Sequence, residues 1–108
     1  AGLKSLSQEF KPLHLDPRCS PVWWFTSFAC DRKEELKKFL ANKGVQTRDF
    51  FCPLHLQPCY ENLTYDINYQ ISERAYKKGI SLPSSYHLTS EQQDYIISCI
   101  YEFYGVKK

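Results

Sequence analysis

Residues 36–60, LKKFLANKGVQTRDFFCPLHLQPCY, contain the change of structure that decides the predicted fold. An apolar stripe at helical spacing predicts a helix, and Gly44 predicts its end because glycine is the preferred residue just after a helix. Residues 45–50 then predict a short strand, and no regular period continues after Phe51. This stretch therefore predicts a helix, a strand and a loop in direct succession.

The residues before this stretch predict a lead-in, a strand and the start of the helix. Residues 1–21 contain three prolines and little periodicity, so we expect an extended lead-in that crosses the surface of the domain formed by residues 22–108. The run VWWFTSFA, residues 22–29, is rich in aromatic and β-branched residues and predicts a strand covered on both faces. Asp31 and Glu34 predict an approximate capping box at the helix N-terminus.

Two further helices and one strand are predicted after the loop. Residues 66–78 predict a helix, and residues 80–82 predict a very short strand. Thr89 or Ser90 is expected to cap a last helix, which ends at Gly105. The apolar stripes of these helices are Ile67, Ile71 and Ala75 in the first, and Ile96, Ile97, Ile100, Phe103 and Tyr104 in the second.

The order of these elements predicts the fold class. Strand, helix, strand, loop, helix, strand and helix follow one another, which is typical of an α+β domain. We therefore expect a small antiparallel or mixed sheet of about three strands, with the helices packed mainly on one face.

Composition and charge exclude several classes of protein. The chain has 108 residues and a net charge of +2, which is too small to indicate a nucleic-acid or membrane-surface partner. The longest apolar run, residues 22–25, is far shorter than the roughly 20 residues that cross a bilayer. The five cysteines, an odd number without a C-x-x-C pair, indicate reduced thiols in a cytoplasmic protein.

Cys52, His55 and Cys59 lie close together in the loop and at first suggest a metal or thiol site. Structural zinc sites need four ligands, usually from two closely spaced pairs, and the C-x2-H-x3-C stretch has no second pair beside it. Nothing in the sequence near either cysteine would activate a thiol for nucleophilic catalysis. The sequence therefore predicts neither a metal site nor a catalytic cysteine.

Recognition of an anion fits the loop better. Arg48 stands at its edge, and a guanidinium group matches the oxygens of carboxylates and phosphates. His55 and Tyr60 can donate hydrogen bonds to the same kind of ligand, and Gln57 can do so as a neutral amide. The prolines of the loop would keep it stiff and lower the entropy lost on binding.

A purely structural interpretation of the same loop stays open. Arg48 could pair with Asp49 or with an acidic side chain of a helix, and His55 could be a buried imidazole with its hydrogen bonds satisfied. Phe50 and Phe51 could offer flat faces to a base or sugar ring, but aromatic side chains are more often part of a core.

Two stretches are similar to a known family. LKKFLANKGVQTRDFFCPLHLQPCYENL and SERAYKKGISLPSSYHLTSEQQDYIISCIYEFY, with PVWWF before them, resemble the C-terminal small domain of the pyridoxal-phosphate-dependent nucleotide-sugar aminotransferases of the DegT/StrS group. The likeness is greatest to the perosamine-synthetase-like members. It extends in order from Pro21 to Tyr104, and its marks include the P-L-H-x-Q-P-x-Y loop and the G-I-S-L-P strand. Asp49 departs from it, since related enzymes often carry proline or another residue there.

The resemblance implies an enzyme of which this chain is one part. Such enzymes use pyridoxal phosphate to transfer an amino group, usually from glutamate, to a 4-keto-6-deoxy sugar on a nucleotide diphosphate. Their catalytic lysine and most of the cofactor site lie in a large N-terminal domain of the same chain, and the complete enzymes are typically homodimers. The resemblance assigns no catalytic residue here, so we expect the chain to close over the active site and to be inactive alone. The residues to which it assigns substrate binding are Arg48, His55, Gln57 and Tyr60.

One alternative function is retained. The chain could be a non-catalytic, stand-alone α+β module that binds a nucleotide sugar or a protein partner. The absence of an initial methionine favours a piece of a longer chain, and a start codon just before Ala1 would favour the module. Binding of single-stranded RNA by strand aromatics ranks last, because the chain lacks the basic face that such proteins carry.

Overall fold

The computed structural model describes residues 3, 6, 9–22, 24–60 and 68–106. These residues form four β-strands and three α-helices, and two short 3₁₀ turns lie in the loop after the third strand. The elements in chain order are β1 (Phe10–Pro12), β2 (Thr26–Cys30), α1 (Lys33–Asn42), β3 (Arg48–Asp49), the 3₁₀ turns Leu54–Leu56 and Pro58–Tyr60, α2 (Gln70–Lys78), β4 (Gly79–Leu82) and α3 (Ser90–Tyr104).

The strands form one antiparallel sheet in the order β1-β2-β4-β3, so the predicted α+β class is confirmed. The described sheet has one strand more than the expected three, because part of the lead-in pairs with β2. Phe10 is buried and its ring stacks on Phe28 at 4.5 Å between centroids, and Leu6 is buried as well. The lead-in therefore contributes to the core and does not only cross the surface, a role that its irregular sequence concealed.

The two faces of the sheet differ in the size of their side chains. Large side chains of β2 and β4 point to one face, where they form the core with α1 and α3. The small side chains of Ser27, Ala29, Gly79 and Ser81 alternate with them and point to the opposite face, where α2 contacts β2 and β4. Two of the three described helices thus share one face, as predicted. Core residues include Phe28, Cys30, Leu36, Leu40, Ile80, Leu82, Ile96, Cys99 and Ile100.

The predicted first strand, residues 22–29, begins later than expected. Val22 is 92% exposed and Trp24 is 70% exposed, so this aromatic run is not covered on both faces before β2 begins. Trp24 instead stacks on Phe25, with ring centroids 4.4 Å apart. Trp23 lies outside the described residues. The β-propensity of the run was correct in type, but it misplaced the strand by about four residues.

The predicted capping box of α1 is wrong. The helix begins at Lys33, and the residue before it, Arg32, does not cap the backbone N–H groups of the first turn; its side chain donates to the carboxylate of Glu35 instead. The carboxylate of Asp31 instead accepts a hydrogen bond from Lys78 at the end of α2. Asp31, which the local sequence would assign to the helix cap, therefore pairs with Lys78 of a distant helix instead. The predicted strand 45–50 is likewise shortened to Arg48–Asp49.

The predicted helix 66–78 is observed from Gln70 onward, and Ile67 lies outside the described residues. Its expected apolar stripe does not enter the core, because Ile71 is 87% exposed and Ala75 is exposed as well. No residue of α2 is buried. The helix therefore covers the sheet more loosely than α1 or α3.

The last helix follows its sequence closely. Thr89 Oγ1 accepts a hydrogen bond from the backbone N–H of Gln92, whose side chain accepts one from the backbone N–H of Thr89. This reciprocal pair is the capping box that begins α3. Gly105 ends the helix with φ of 65°, a left-handed conformation that favours glycine. None of the helices within the described residues is both long enough and apolar enough to cross a membrane.

Phe50 covers Gly79 on the small-residue face of the sheet. Asp49 pairs with Ile80, so the next residues in register, Phe50 and Gly79, lie side by side. A Cβ atom at Gly79 would stand 2.3 Å from Phe50 Cγ. The φ of Gly79 is −73°, which any residue can adopt. The ring contact, and not the backbone conformation, therefore requires glycine at this position.

We expect Gly79→Ala to lower the free energy of unfolding by about 1–3 kcal/mol, because the added methyl group displaces a packed ring. Urea denaturation of the 108-residue chain, followed by circular dichroism, measures this effect. The control is the same substitution in a Phe50→Ala background, where we expect it to be neutral or slightly stabilising. An equal cost in both backgrounds would show that the ring contact is not the cause.

Candidate functional site

A cleft of about 850 Å³ lies between the small-residue face of the sheet, α2 and the loop that follows β3. This volume is in the range of sites that bind small molecules. The sheet supplies its floor, and the loop and α2 supply its walls. The lining residues are Ser27, Arg48, Asp49 and Ser81 from the strands, Phe50, Phe51, Cys52, Pro53, Leu54 and Gln57 from the loop, Ser72, Ala75 and Tyr76 from α2, and Leu13 and Phe25 from the segments flanking β1 and β2.

A polar row crosses the floor of the cleft. Ser27 of β2 is paired with Ser81 of β4, and Ser81 is paired in turn with Arg48 of β3. Directly paired residues of antiparallel strands present their side chains on the same face. The hydroxyl oxygens of Ser27 and Ser81 are 2.9 Å apart, within hydrogen-bond distance.

The side chain of Arg48 is directed to the cleft by its neighbour Asp49. The carboxylate of Asp49 lies 2.8 Å from Lys33 Nζ and 2.7 Å from Lys37 Nζ, and both lysines belong to α1 on the core side of the sheet. Because successive side chains of a strand point to opposite faces, Arg48 then points away from α1. Its guanidinium group is exposed and has no hydrogen bond or ion pair with any residue that the structure describes. The suggested pairing of Arg48 with Asp49 is therefore not formed.

One of the two lysines paired with Asp49, Lys33, is buried. Lys33 is only 6% exposed, and its ammonium group also donates a 2.7 Å hydrogen bond to the backbone carbonyl of Tyr76. Burial raises the pKa of Asp49, but the hydrogen bonds and charges of Lys33 and Lys37 outweigh it and bring the pKa below its usual 3.8. The hydrogen bond between Lys37 and Asp49 also raises the pKa of Lys37. Asp49 is therefore ionised and paired at neutral pH.

Gln57 and His55 have different surroundings in the loop. Gln57 lines the cleft, and its side-chain amide donates a 3.4 Å hydrogen bond to the carbonyl of Cys52. His55 is turned away from the cleft toward α2. Its Nε2 lies 3.0 Å from the carboxylate of Glu73, and its ring stacks on Tyr69 with centroids 4.2 Å apart. His55 therefore attaches the loop to the start of α2.

Tyr60 also lies outside the cleft. It is 39% exposed at the end of the second 3₁₀ turn, beside residues 61–67, which the structure does not describe. Of the four residues that the sequence proposed for substrate binding, the structure thus brings Arg48 and Gln57 together in one cleft. His55 and Tyr60 do not join them there.

Aromatic rings form one end of the cleft. Phe25 and Phe51 meet edge to face with centroids 6.4 Å apart, and Phe51 is 80% exposed. Phe51 is thus available to a ligand, whereas Phe50 packs on the sheet. Phe25, Ser27 and Ser81 also line the cleft and were not predicted from the sequence. Their positions on one face follow from the strand alternation and the pairing of distant strands, and only the alternation is visible in the sequence.

The described residues do not fit a metal site or a cofactor attachment site. They contain no group of three histidine, cysteine or acidic side chains that could hold a metal ion, and all five cysteines are free thiols. Covalent attachment of pyridoxal phosphate requires a lysine that can become neutral and reach the cofactor. Lys33, the buried lysine within the described part of the chain, is already engaged by the carboxylate of Asp49 and the carbonyl of Tyr76.

Comparisons with known proteins agree with the fold. Residues 1–101 match the DegT/DnrJ/EryC1/StrS aminotransferase family. A GDP-perosamine synthase of Escherichia coli O157:H7 is 38% identical over 89 residues, which are 80% of this chain and 24% of that protein. A pleiotropic regulatory protein of Geobacillus stearothermophilus is 39% identical over 75 residues, which are 68% of this chain and 20% of that protein.

Solved structures give the same result. An aminotransferase of this family from Brucella abortus superposes with a TM-score of 0.82 at 27% identity, over 96% of this chain and 28% of that one. The structure of S. venezuelae DesV in complex with a ketimine intermediate superposes with a TM-score of 0.86 at 25% identity, over 99% of this chain and 29% of that one. The chain thus spans about a quarter of the length of the relatives it matches.

We expect Asp49→Asn to destabilise the chain at neutral pH by roughly 1–2 kcal/mol, because it leaves the buried Lys33 without its counter-ion. Since the pKa of Asp49 is lower in the folded than in the unfolded chain, its contribution is complete above about pH 4 and is lost as the pH falls through the folded pKa. Urea denaturation at pH 7 and at pH 3 should therefore show a difference between the two proteins that shrinks at low pH.

Asp16→Asn is the matched control for this experiment. Asp16 also forms an ion pair, with Arg18, but that pair is exposed and connects residues only two positions apart. We expect no measurable change in stability from it. A loss of stability in Asp49→Asn that stayed constant between pH 7 and pH 3 would contradict the role of the carboxylate charge.

Proposed function

The chain belongs to the DegT/DnrJ/EryC1/StrS aminotransferase family, and on that premise we propose that it forms the substrate-binding part of a pyridoxal-phosphate-dependent nucleotide-sugar aminotransferase. The proposed reaction transfers an amino group from glutamate to a 4-keto-6-deoxy sugar carried on a nucleotide diphosphate. Because the chain spans about a quarter of its relatives, the catalytic lysine and most of the cofactor site would belong to the remaining three quarters of the family fold.

The unpaired guanidinium group of Arg48 in the cleft is the observation that carries this proposal. An arginine without a counter-ion on the wall of a cleft favours an anionic ligand, and its planar group matches phosphate oxygens. The surrounding charges point the same way. The carboxylate of Asp49 is paired with Lys33 and Lys37 of α1, so it does not neutralise Arg48.

The remaining walls suit a sugar nucleotide. Phe25 and Phe51 offer aromatic surface for a base or a sugar ring, and Gln57 offers an amide that can exchange hydrogen bonds with hydroxyl groups. His55 supports the loop through Glu73 and Tyr69 and so keeps Gln57 in position. We assign Arg48 and Gln57 to direct contact with the substrate, and His55 to positioning of the loop.

Pyridoxal phosphate supplies the amino-group carrier and the electron sink of this chemistry when it is bound. The residues of this chain would bind and orient the sugar nucleotide at the edge of that site. In the proposed complete enzyme they would also help to exclude water from it, and that enzyme would be a homodimer. The name of the GDP-perosamine synthase relative supports a nucleotide sugar as the substrate class. The five free cysteines support a reducing compartment such as the cytoplasm.

A stand-alone binding module is the second candidate function. In that case the cleft between the sheet, the loop and α2 would be the complete binding site. Both candidates predict that the 108-residue chain binds a nucleotide sugar. They differ in the complete family polypeptide, where amino transfer from glutamate in the presence of pyridoxal phosphate is expected only from the aminotransferase.

In the complete enzyme, we expect Arg48→Ala to raise the KM for the nucleotide sugar by about 10- to 100-fold, which corresponds to one lost charge-assisted contact of about 1.5–3 kcal/mol. The turnover number should change less, because the residue contacts the substrate away from the reacting carbon. Steady-state kinetics with varied sugar nucleotide at saturating glutamate measures both constants.

Arg74→Ala is the matched control for this variant, since Arg74 is exposed on α2 and does not line the cleft. Tyr60→Phe should likewise change the KM little, because Tyr60 lies outside the cleft. Unchanged constants in Arg48→Ala would show that this cleft is not the substrate site. An equal rise of the KM in Arg74→Ala would show a general effect of charge.

A further inference from the structure

We infer that Ser27 and Ser81 form, together with Arg48, a subsite for an anionic oxygen of the bound substrate. The inference rests on the proposed function, since it assigns chemistry to the floor of the same cleft. It adds two residues to which neither their type nor their local sequence assigns a binding role.

The register of three strands places these side chains in one row. Ser27, Ser81 and Arg48 lie on consecutive neighbouring strands and are directly paired across them. All three line the cleft. A guanidinium group and two hydroxyl groups are hydrogen-bond donors of the kind that surround phosphate and carboxylate oxygens. The row therefore presents donors along one line of the floor.

The two hydroxyl groups have one proton more than their mutual hydrogen bond uses. Each serine has one O–H donor, and the 2.9 Å contact between the two oxygens uses one of the two protons. No other described side chain or carbonyl forms a hydrogen bond with either oxygen. One O–H therefore remains to donate to a ligand in the cleft.

The floor at this pair is rigid. Phe50 covers Gly79 on the same face, so the room for a ligand lies beside Ser27, Ser81 and Arg48, which line the cleft. Ser81 is only 6% exposed on a strand whose four residues are all buried. Donors held on such a strand lose little conformational entropy when they bind an anion.

Both substrates of the proposed reaction carry anionic oxygens. The sugar nucleotide carries them on its diphosphate, and glutamate carries them on its carboxylates. Both present oxygen acceptors that a guanidinium group and a hydroxyl group can bind together. GDP and glutamate are therefore tested separately, and guanosine serves as the probe that lacks the diphosphate.

The test is a titration of the 108-residue chain with GDP, guanosine and glutamate, followed by NMR chemical shifts. We expect Ser27→Ala and Ser81→Ala each to change the dissociation constant less than about twofold, because the remaining hydroxyl group keeps a free proton. The double variant should weaken the binding of GDP or of glutamate about tenfold, since no hydroxyl donor remains. Guanosine binding should not change.

Further variants separate binding from stability. Ser27→Thr keeps the hydroxyl group, and in the Ser81→Ala background it should restore binding to that of the single variant. Ser98→Ala is the matched control, because Ser98 is an exposed serine on α3 that donates to the carbonyl of Tyr95. The double variant should unfold at nearly the wild-type urea concentration, because both partners of the hydrogen bond are removed together.

The outcomes distinguish this inference from the proposed function. Binding of GDP or glutamate that requires Arg48 but is unchanged in the double serine variant would overturn the inference and leave the proposed function in place. Failure of the wild-type chain to bind either probe would overturn both. Equal weakening of guanosine and GDP in the double variant would show a change of shape in the cleft and would also overturn the anion subsite.

Discussion

The cleft depends on the ion pairs between Asp49 and the two lysines of α1. Strand β3 has only two residues and lies at the edge of the sheet, so its backbone hydrogen bonds alone hold its register weakly. The pairs of Asp49 with Lys33 and Lys37 fix which face each residue of β3 occupies. A slip by one residue would bring Arg48 against the lysines and would turn the carboxylate of Asp49 to the face that carries Ser81. The sign of the charge in the cleft is thus set on the other side of the sheet.

The alternation of small and large residues in β4 makes one strand serve two purposes. Ile80 and Leu82 pack into the core with α1 and α3, whereas Gly79 and Ser81 leave space beneath α2. Phe50 fills part of this space over Gly79, and that contact reinforces the register set by Asp49. Because Ile80 and Leu82 are packed in the core, the strand is rigid, and Ser81 on its other face is held at a fixed position in the cleft.

Elements whose deciding contacts are local could be predicted from the sequence. The capping box at Thr89 and the glycine at position 105 define α3 from neighbouring residues. The anion that the residue type of Arg48 suggested stays a prediction. Positions that depend on a contact with a residue distant in the sequence could not be predicted. Ser27 and Ser81 are 54 positions apart, and His55 is turned from the cleft by Glu73, 18 positions further on. Phe10 enters the core through a strand pairing that its own irregular segment does not indicate.

The arrangement of charges suits the proposed function, in which a quarter of a family fold binds the substrate without carrying the chemistry. Lys33, the buried amine of the described residues, is committed to Asp49 and to the carbonyl of Tyr76, so it stabilises structure. Arg48 is the opposite case, a cation held beside that network with no partner of its own among the described residues. Because the network is complete before any ligand arrives, binding an anion at Arg48 requires little rearrangement. Under the proposed function, the chain would provide affinity and orientation, and the reactive groups would lie in the rest of the family fold.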